Sequence, residues 1–187
     1  MLDQEDNAYF TKLAQIIQLK GWGRLTKKDI LKDCPEQLRD FAVVTPPKQA
    51  LWKYLFWLVD KNLEHISQGV STKVSVHDIL LEGVMTIFDT IQPYKAFLRL
   101  AFFSGTTQSI SYELLKQLDD RCQAILESAE ISTSGLKGAV RVKVMQLFVA
   151  AAAYVWLEDD SEDQAKTMSF IDQKLRQVAD FAGYFGL

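Results

Sequence analysis

Residues 144–157, VMQLFVAAAAYVWL, form the most apolar stretch of the chain and decide its fold. The stretch is only fourteen residues long and is interrupted by Gln146, whereas a membrane-spanning helix needs roughly twenty apolar residues. It therefore predicts a buried helix over residues 135–158 and no membrane span. Because the stretch is apolar almost all round, the helix must be covered on more than one side.

The segment that follows predicts a second helix packed against the first. Ser161 and Gln164 have the spacing of a capping box, which starts a helix. Apolar residues then repeat in steps of three and four, a pattern typical of helix packing. The two helices carry more apolar surface than one subunit covers, which predicts a homodimer through a four-helix bundle. The alternative is that both helices are buried within one chain. The predicted interface residues are Val149, Ala152, Trp156, Met168, Ile171, Leu175, Val178 and Ala182.

The rest of the chain also predicts helices, because no stretch shows the sustained alternation of a strand. The expected helices cover residues 7–20, 27–33, 35–44, 46–68, 76–91, 93–103 and 110–130. With the last two, this gives an all-α fold of about nine helices. We expect an N-terminal three-helix module over residues 1–50, and a C-terminal ligand-binding and dimerisation domain over residues 51–187.

The segment Gly21-Trp-Gly-Arg-Leu-Thr-Lys-Lys-Asp-Ile30 resembles the helix-turn-helix entry of the TetR family of regulators. Lys48 and Leu51 also fall at the spacing where that family opens its fourth helix. The resemblance implies a TetR-like fold and a homodimeric transcriptional regulator with an apolar effector pocket. The residues that it implies for DNA binding are Thr26, Lys27, Gln37, Arg39 and Lys48.

The turn and recognition-helix region departs from the TetR pattern. The family has a small residue, Gly, Val-Ser, a Tyr and a Phe at positions where this chain has Cys34, Pro35, Glu36, Gln37, Ala42 and Thr45. Residues 1–66 hold ten Lys or Arg and nine Asp or Glu, a balance of about +1. DNA affinity depends largely on cations that neutralise phosphates, so these departures weaken the prediction of DNA binding.

The C-terminal region is similar to the TetR-like lipid-binding proteins of ubiquinone biosynthesis. Those proteins have an Asp-x-Ser turn before a Thr-x-x-Phe-Leu-Asp-Arg-Arg segment, and this chain has Asp159-Asp-Ser161 before Thr167-Met-Ser-Phe-Ile-Asp-Gln-Lys174. This resemblance implies an alternative function, a lipid- or quinone-binding protein that does not bind DNA. A pure dimerisation scaffold is a third hypothesis.

The TetR resemblance implies a ligand cavity in the C-terminal domain, where large flexible or aromatic side chains cluster, and such a cavity would favour an apolar ligand. Simple core packing is the alternative interpretation of the same residues. The predicted pocket residues are Met85, Phe88, Phe97, Phe102, Phe103, Tyr112, Met145 and Phe148.

The sequence predicts neither catalysis nor a metal or cofactor site. His65 and His77 have no second His or Cys at ligand spacing, and no nucleotide-binding or hydrolase motif is present. Cys34 and Cys122 lie far apart and suggest no disulfide framework. The acidic N-terminus lacks the features of a secretory signal, so we expect a cytoplasmic location.

Overall fold

The computed structural model describes the backbone of residues 2–67, 74–103 and 107–185, and the side chains of residues 5–64, 74–103 and 116–177. Over these ranges the chain forms α-helices and two short 3₁₀ turns and no strand, so the all-α prediction is confirmed. The helices are α1 (Leu2–Lys20), α2 (Lys27–Leu31), α3 (Glu36–Val44), α4 (Pro47–Ser67), α5 (Val76–Ile91), α6 (Lys95–Phe103), α7 (Thr107–Ser128), α8 (Gly135–Glu158) and α9 (Ala165–Phe185).

Most predicted helix bounds agree with these within a few residues, but the starts of α1 and α9 differ. α1 begins at Leu2 rather than residue 7. The Asp6 carboxylate in its first turns is buried and accepts a hydrogen bond from the Tyr54 hydroxyl at 2.5 Å. The acidic N-terminal segment is thus held by a long-range contact that its composition does not reveal.

The first compact unit combines residues 1–59 with residues 91–117. Its centre is an aromatic cluster in which the Phe97 ring lies 5.0 Å from Phe10 and 6.0 Å from Trp22. Because Phe97 belongs to α6, that helix packs with α1. The division therefore differs from the predicted boundary at residue 50.

The second compact unit combines residues 60–90 with residues 118–187. Phe88 of α5 stacks on Trp156 of α8, with ring centroids 5.5 Å apart. α5 and α7 approach closely at Gly83, where an added Cβ would lie 2.9 Å from a side-chain carbon of Ile125. Packing of this density leaves little room for larger side chains.

Candidate functional site

Thr26 lies at the start of α2 and caps it. The backbone N–H of Asp29 donates to the Thr26 hydroxyl at 3.3 Å, and the backbone N–H of Thr26 donates to the Asp29 carboxylate at 2.8 Å. Hydrogen bonds from Lys20 and then from Thr26 hold the pKa of Asp29 well below its usual range. The predicted start of a helix at residue 27 is therefore confirmed.

Lys48 is engaged within the first unit. Its ammonium donates to the backbone carbonyl of Gly23 at 3.1 Å and lies 5.5 Å from the centroid of the Trp22 ring. Burial lowers the pKa of Lys48. This geometry argues against the predicted phosphate contact, because the cation already has a polar and an aromatic partner.

The outer surface of α3, which would be the recognition helix, is acidic and apolar. Arg39 is exposed between Glu36 and Asp40, which are exposed as well, and Gln37 is half-buried. The last two residues of the helix are valines whose exposed fractions are 80% and 76%. Lys27 is exposed on α2. Carboxylates repel a phosphate backbone, so α3 presents poor chemistry for reading DNA.

The residues predicted to line a pocket divide between the two units. Phe97 is in the core of the first unit, the Phe102 ring lies 6.2 Å from Trp52, and Phe103 is largely exposed. Tyr112 lies outside the described side chains. These contacts are those of core and surface residues rather than of a shared cavity wall.

The other four predicted pocket residues belong to the second unit. Met85, Phe88 and Met145 are buried and Phe148 is half-buried. None of the seven whose side chains the structure describes lines the cleft of about 370 Å³ that this unit contains. The residues lining that cleft are Asp60, Leu63, Glu64, Gly83, Asp120, Arg121, Ala124, Ile125 and Ser128.

An ion pair between α4 and α7 forms one side of this cleft. Nε of Arg121 donates to Oδ1 of Asp60 at 2.7 Å, and a terminal nitrogen of Arg121 bonds to the second carboxylate oxygen. The Arg121 side chain is 13% exposed. Sequence reasoning missed this pair, because the two residues are 61 positions apart and neither lies in a recognisable motif.

The connection between α8 and α9 is built on Asp159, a carboxylate that is 1% exposed. It accepts hydrogen bonds from the backbone N–H and the hydroxyl of Thr167 at 2.8 and 2.7 Å. It also accepts from the backbone N–H and the hydroxyl of Ser161 at 3.1 and 2.5 Å. Burial raises the pKa of Asp159, but these hydrogen bonds outweigh burial and hold it well below its usual range. We call Asp159, Ser161 and Thr167 the hinge.

The hinge corrects the predicted start of α9. No capping box forms between Ser161 and Gln164, and the helix begins at Ala165. Gln164 adopts a left-handed backbone conformation, with φ of 54°, and its amide donates to Asp89 at 2.7 Å. In the first turn of α9, the backbone N–H of Thr167 donates to Asp159 and that of Ala165 donates to the Ser161 hydroxyl at 3.0 Å.

Most of the predicted dimer residues are buried within the chain itself. Val149, Ala152 and Trp156 of α8 are at most 1% exposed, and Ile171 and Leu175 of α9 are buried too. Their side chains leave little surface for a second copy, which favours the alternative that both helices are buried within one chain, and the dimer interface stays a prediction. Met168 is exposed, and Val178 and Ala182 lie outside the described side chains.

The apolar surface that remains exposed on α8 lies on its other side. Its six residues, which we call the outer stripe, are Leu136, Val140, Val144, Leu147, Ala151 and Tyr154. α8 is also the one described helix long and apolar enough to cross a membrane, with a mean hydropathy of 1.5 in its apolar window. Since 39% of that window is buried in the chain, and core helices often have such composition, this is weak support for a span.

The described side chains contain no group of three or more His, Cys, Asp or Glu residues that could hold a metal ion. Cys34 and Cys122 are both buried as free thiols. Burial raises the pKa of Cys122 to about 12, which suppresses its reactivity as a thiolate. The absence of catalysis remains a prediction.

Together these features define an all-helical protein with an aromatic core in its first unit, a polar cleft in its second unit and a hinge that joins its last two helices. Residues 141–182 match the model of the COQ9 family, which has a TetR-like helical fold. The match covers most of α8, the hinge and most of α9. It supports the relationship to TetR-like lipid-binding proteins of ubiquinone biosynthesis that the sequence suggested, and it leaves the TetR regulator unconfirmed. No curated protein and no solved structure matches the chain.

Proposed function

We propose that this chain is a TetR-fold protein that binds a lipid or quinone and does not act on DNA. The observation that carries the proposal is the COQ9 match, because it falls on the hinge and on the two helices that the hinge joins. The hinge residues are those of the Asp-x-Ser and Thr positions by which the C-terminal region resembles lipid-binding relatives. Their mutual hydrogen bonds give that similarity a structural reason.

The chemistry of the first unit favours this proposal over DNA binding. Thr26 and Lys48 are engaged within the unit, and Arg39 lies between Glu36 and Asp40 on the exposed side of α3. A protein gains most of its DNA affinity from cations free to replace counterions on phosphates. The first unit exposes Arg24, Lys27, Lys28, Lys32 and Arg39. However, residues 1–66 carry a charge balance of only about +1, and Glu36 and Asp40 oppose the cation on α3.

The cleft of the second unit is the candidate site for the polar end of the ligand. Leu63, Ala124 and Ile125 contribute apolar wall, and the polar lining comes from Asp60, Glu64, Asp120, Arg121 and Ser128. Arg121 donates to Asp60, and the Ser128 hydroxyl donates to the backbone carbonyl of Ile125 at 2.8 Å, so a ligand carbonyl would have to draw a donor from one of these partners. The cleft volume of about 370 Å³ lies at the small end of the range for ligand pockets, roughly 300–1,000 Å³, and suits a quinone ring rather than a long tail.

Lipid analysis of the purified protein tests the proposal. We expect organic extraction followed by mass spectrometry to recover an isoprenoid lipid or quinone in near-stoichiometric amount. A short-chain ubiquinone analogue added to lipid-stripped protein should quench tryptophan fluorescence saturably. Recovery of no lipid together with no saturable quenching would contradict the proposal.

A pair of matched variants tests the cleft. Ala124→Phe narrows it, and we expect it to weaken binding of the quinone analogue by about tenfold or more. Ala139→Phe makes the same change at an exposed position of α8 outside the cleft and should leave binding unchanged. Equal affinities of the two variants would place the ligand elsewhere.

Transcriptional regulation is the second candidate function. It is favoured by the capping box between Thr26 and Asp29, which keeps the helix-turn-helix register. A gel-shift assay on genomic fragments at low salt separates the two candidates, since even weak phosphate contacts are detected there. Retardation of a defined fragment that weakens as salt is raised would favour the regulator.

A further inference from the structure

The polar groups that line the cleft are mostly hydrogen-bond acceptors. The lining includes the carboxylates of Asp60, Glu64 and Asp120, and Arg121 supplies the one cation among the described residues of that lining, which gives it a formal charge of −2. An ionised carboxylate has two oxygens that accept hydrogen bonds and no hydrogen to donate. The cleft therefore favours ligand groups that donate hydrogen bonds.

The donors of the cleft are already engaged within the chain. Nε of Arg121 donates to Asp60 at 2.7 Å, and a terminal nitrogen of Arg121 bonds to the second oxygen of the same carboxylate. The Arg121 side chain is only 13% exposed, which limits the N–H groups that a ligand can reach. The Ser128 hydroxyl donates its single hydrogen to the backbone carbonyl of Ile125 at 2.8 Å. Ser128 can therefore accept from a ligand, but it can donate to one only by losing this bond.

A quinone and its reduced form, the quinol, differ in the hydrogen bonds that they make. The two ring oxygens of a quinone are carbonyls that only accept, whereas the two hydroxyls of a quinol donate as well as accept. A quinone carbonyl that faces a carboxylate gains no hydrogen bond and leaves both groups desolvated. A quinol hydroxyl in the same place donates a charge-assisted hydrogen bond, which is stronger than one between neutral groups.

We propose that the cleft binds a quinol in preference to the corresponding quinone, with Glu64 and Asp120 accepting hydrogen bonds from the ring hydroxyls. This inference rests on the proposed function, because it takes the cleft as the ligand site. Leu63 and Ala124 provide the apolar wall for the ring. Binding moves no electron, and the cleft selects between two redox forms of the ligand. Because Glu64 and Asp120 are exposed, we expect a preference of about tenfold rather than the far larger ratios of closed sites.

Parallel titrations with the two redox forms are the direct test. Lipid-stripped protein is titrated with a short-chain ubiquinol, kept reduced under argon, and separately with the matching ubiquinone, and tryptophan quenching gives both dissociation constants. We expect the quinol to bind about tenfold more tightly. The dimethyl ether of the quinol keeps the ring but has no O–H donor, so it should bind no more tightly than the quinone.

The outcomes of these titrations separate this inference from the proposed function. Equal affinities for quinol and quinone, or tighter binding of the quinone, overturn the preference and leave quinone binding in place. Tight binding of the dimethyl ether also overturns it, because O–H donation is then not what the cleft recognises. If neither redox form binds, the proposed function fails and this inference fails with it.

The reduction potential of the bound ligand measures the same preference independently. Tenfold tighter binding of the two-electron-reduced form raises the midpoint potential of the couple by about 30 mV. An equilibrium redox titration of the short-chain ubiquinone, with and without saturating protein, detects this change. A potential that is unchanged or lowered by the protein contradicts the inference.

A matched pair of double variants tests the two carboxylates. Glu64→Gln with Asp120→Asn replaces both acceptors by amides, which donate as well as accept, so we expect the quinol-to-quinone affinity ratio to fall from about ten to about one. Glu36→Gln with Asp40→Asn makes the same change at exposed positions of α3 in the first unit and should keep the ratio. All four carboxylates are exposed, and circular dichroism checks that both variants fold. A ratio that changes equally in both variants, or in neither, overturns the assignment of Glu64 and Asp120.

Discussion

Asp159 shows how one residue joins the last two helices. Its carboxylate lies directly after α8 and accepts hydrogen bonds from Ser161 and from Thr167 in the first turn of α9. A helix N-terminus has unsatisfied N–H groups and a partial positive charge, both of which favour a carboxylate there. The burial of Asp159 is therefore compensated by its donors.

Replacing Asp159 tests this role. Asp159→Asn removes the charge and turns an N–H₂ group towards donors, so we expect the free energy of unfolding to fall by about 2–4 kcal/mol. Urea unfolding followed by circular dichroism measures the change. Glu162→Gln, a neutralisation at an exposed position three residues along the chain, should change it by less than about 0.5 kcal/mol. Equal losses of unfolding free energy in the two variants would show that Asp159 contributes no more to stability than an exposed carboxylate.

The contribution of Asp159 also predicts a pH dependence. Its pKa in the folded chain lies below the ordinary 3.8, so folding favours the ionised form, and stability from this group is complete well above 3.8. That stability is lost as the pH falls below 3.8 towards the folded pKa. The difference in unfolding free energy between wild type and Asp159→Asn should be constant from pH 7 to about 5 and should shrink below about 4. A difference that grows on acidification would contradict this sign.

The sequence alone identified some residues of the hinge but not the ion pair beside the cleft. Ser161 and Thr167 could be singled out because a family resemblance passes through them, although their shared acceptor could not. The pair of Asp60 and Arg121 carried no signal, since an isolated charged residue on a helix is usually solvated. Each of these two residues meets its partner, 61 positions away in the sequence, only when α4 and α7 pack together.

At the level of elements, the helix α8 was predicted over the residues that it occupies, 135–158. A long apolar run that ends at an acidic turn predicts both that the segment is a helix and where that helix ends. The start of α9 was wrong because Gln164 adopts a left-handed conformation, with φ of 54°, which an α-helix does not contain. The Ser161 hydroxyl therefore accepts from the backbone N–H of Ala165, at 3.0 Å, rather than from that of Gln164.

The faces of these helices were harder to assign than their bounds. Periodicity indicates which residues share a side of a helix, but it does not identify the neighbour that covers that side. Ile171 and Leu175 follow a packing seam and are covered within their own chain. The large apolar residues of α8 that stay exposed belong to the outer stripe.

The surface of α3 makes a prediction of its own. Changing Glu36 and Asp40 together to Lys replaces two carboxylates by two ammonium groups on the side of the helix that would face DNA. We expect the affinity for a random duplex at 50 mM salt to rise by about tenfold or more over wild type. A gel shift or fluorescence anisotropy with labelled duplex measures it, repeated at higher salt.

The control for this experiment is a double variant with the same net charge as the α3 double variant. Changing Glu82 and Glu162 to Lys makes the same charge difference at exposed positions of the second unit. If both double variants gain equal affinity, the effect belongs to overall charge. A gain confined to the α3 variant would support the view that the acidic residues there disfavour DNA.

At the scale of the whole molecule, the order of helices was predictable and the grouping of the chain was not. Capping residues, glycines and prolines mark where helices begin and end, and they predicted helices in all the described regions. The first unit takes in residues 91–117 because Phe97 of α6 joins Phe10 and Trp22 in one aromatic cluster. Such long-range burial has no local signature.

The same packing predicts how the chain behaves towards membranes. Inserting α8 as a span would withdraw Trp156 from Phe88 and carry Arg141 and Lys143 into lipid, at a cost of about 2.5–3.5 kcal/mol for each charge near the centre. We therefore expect the expressed protein to remain in the supernatant of a cell lysate, and any membrane-bound fraction to be released by alkaline carbonate. Lys143→Leu raises the hydropathy of α8 at the loss of the Lys143 ion pair with Asp119 and its hydrogen bond to Gln146, and it should be released equally. Release only by detergent, in either protein, would show that composition outweighs the contacts of α8 and that the helix spans the bilayer.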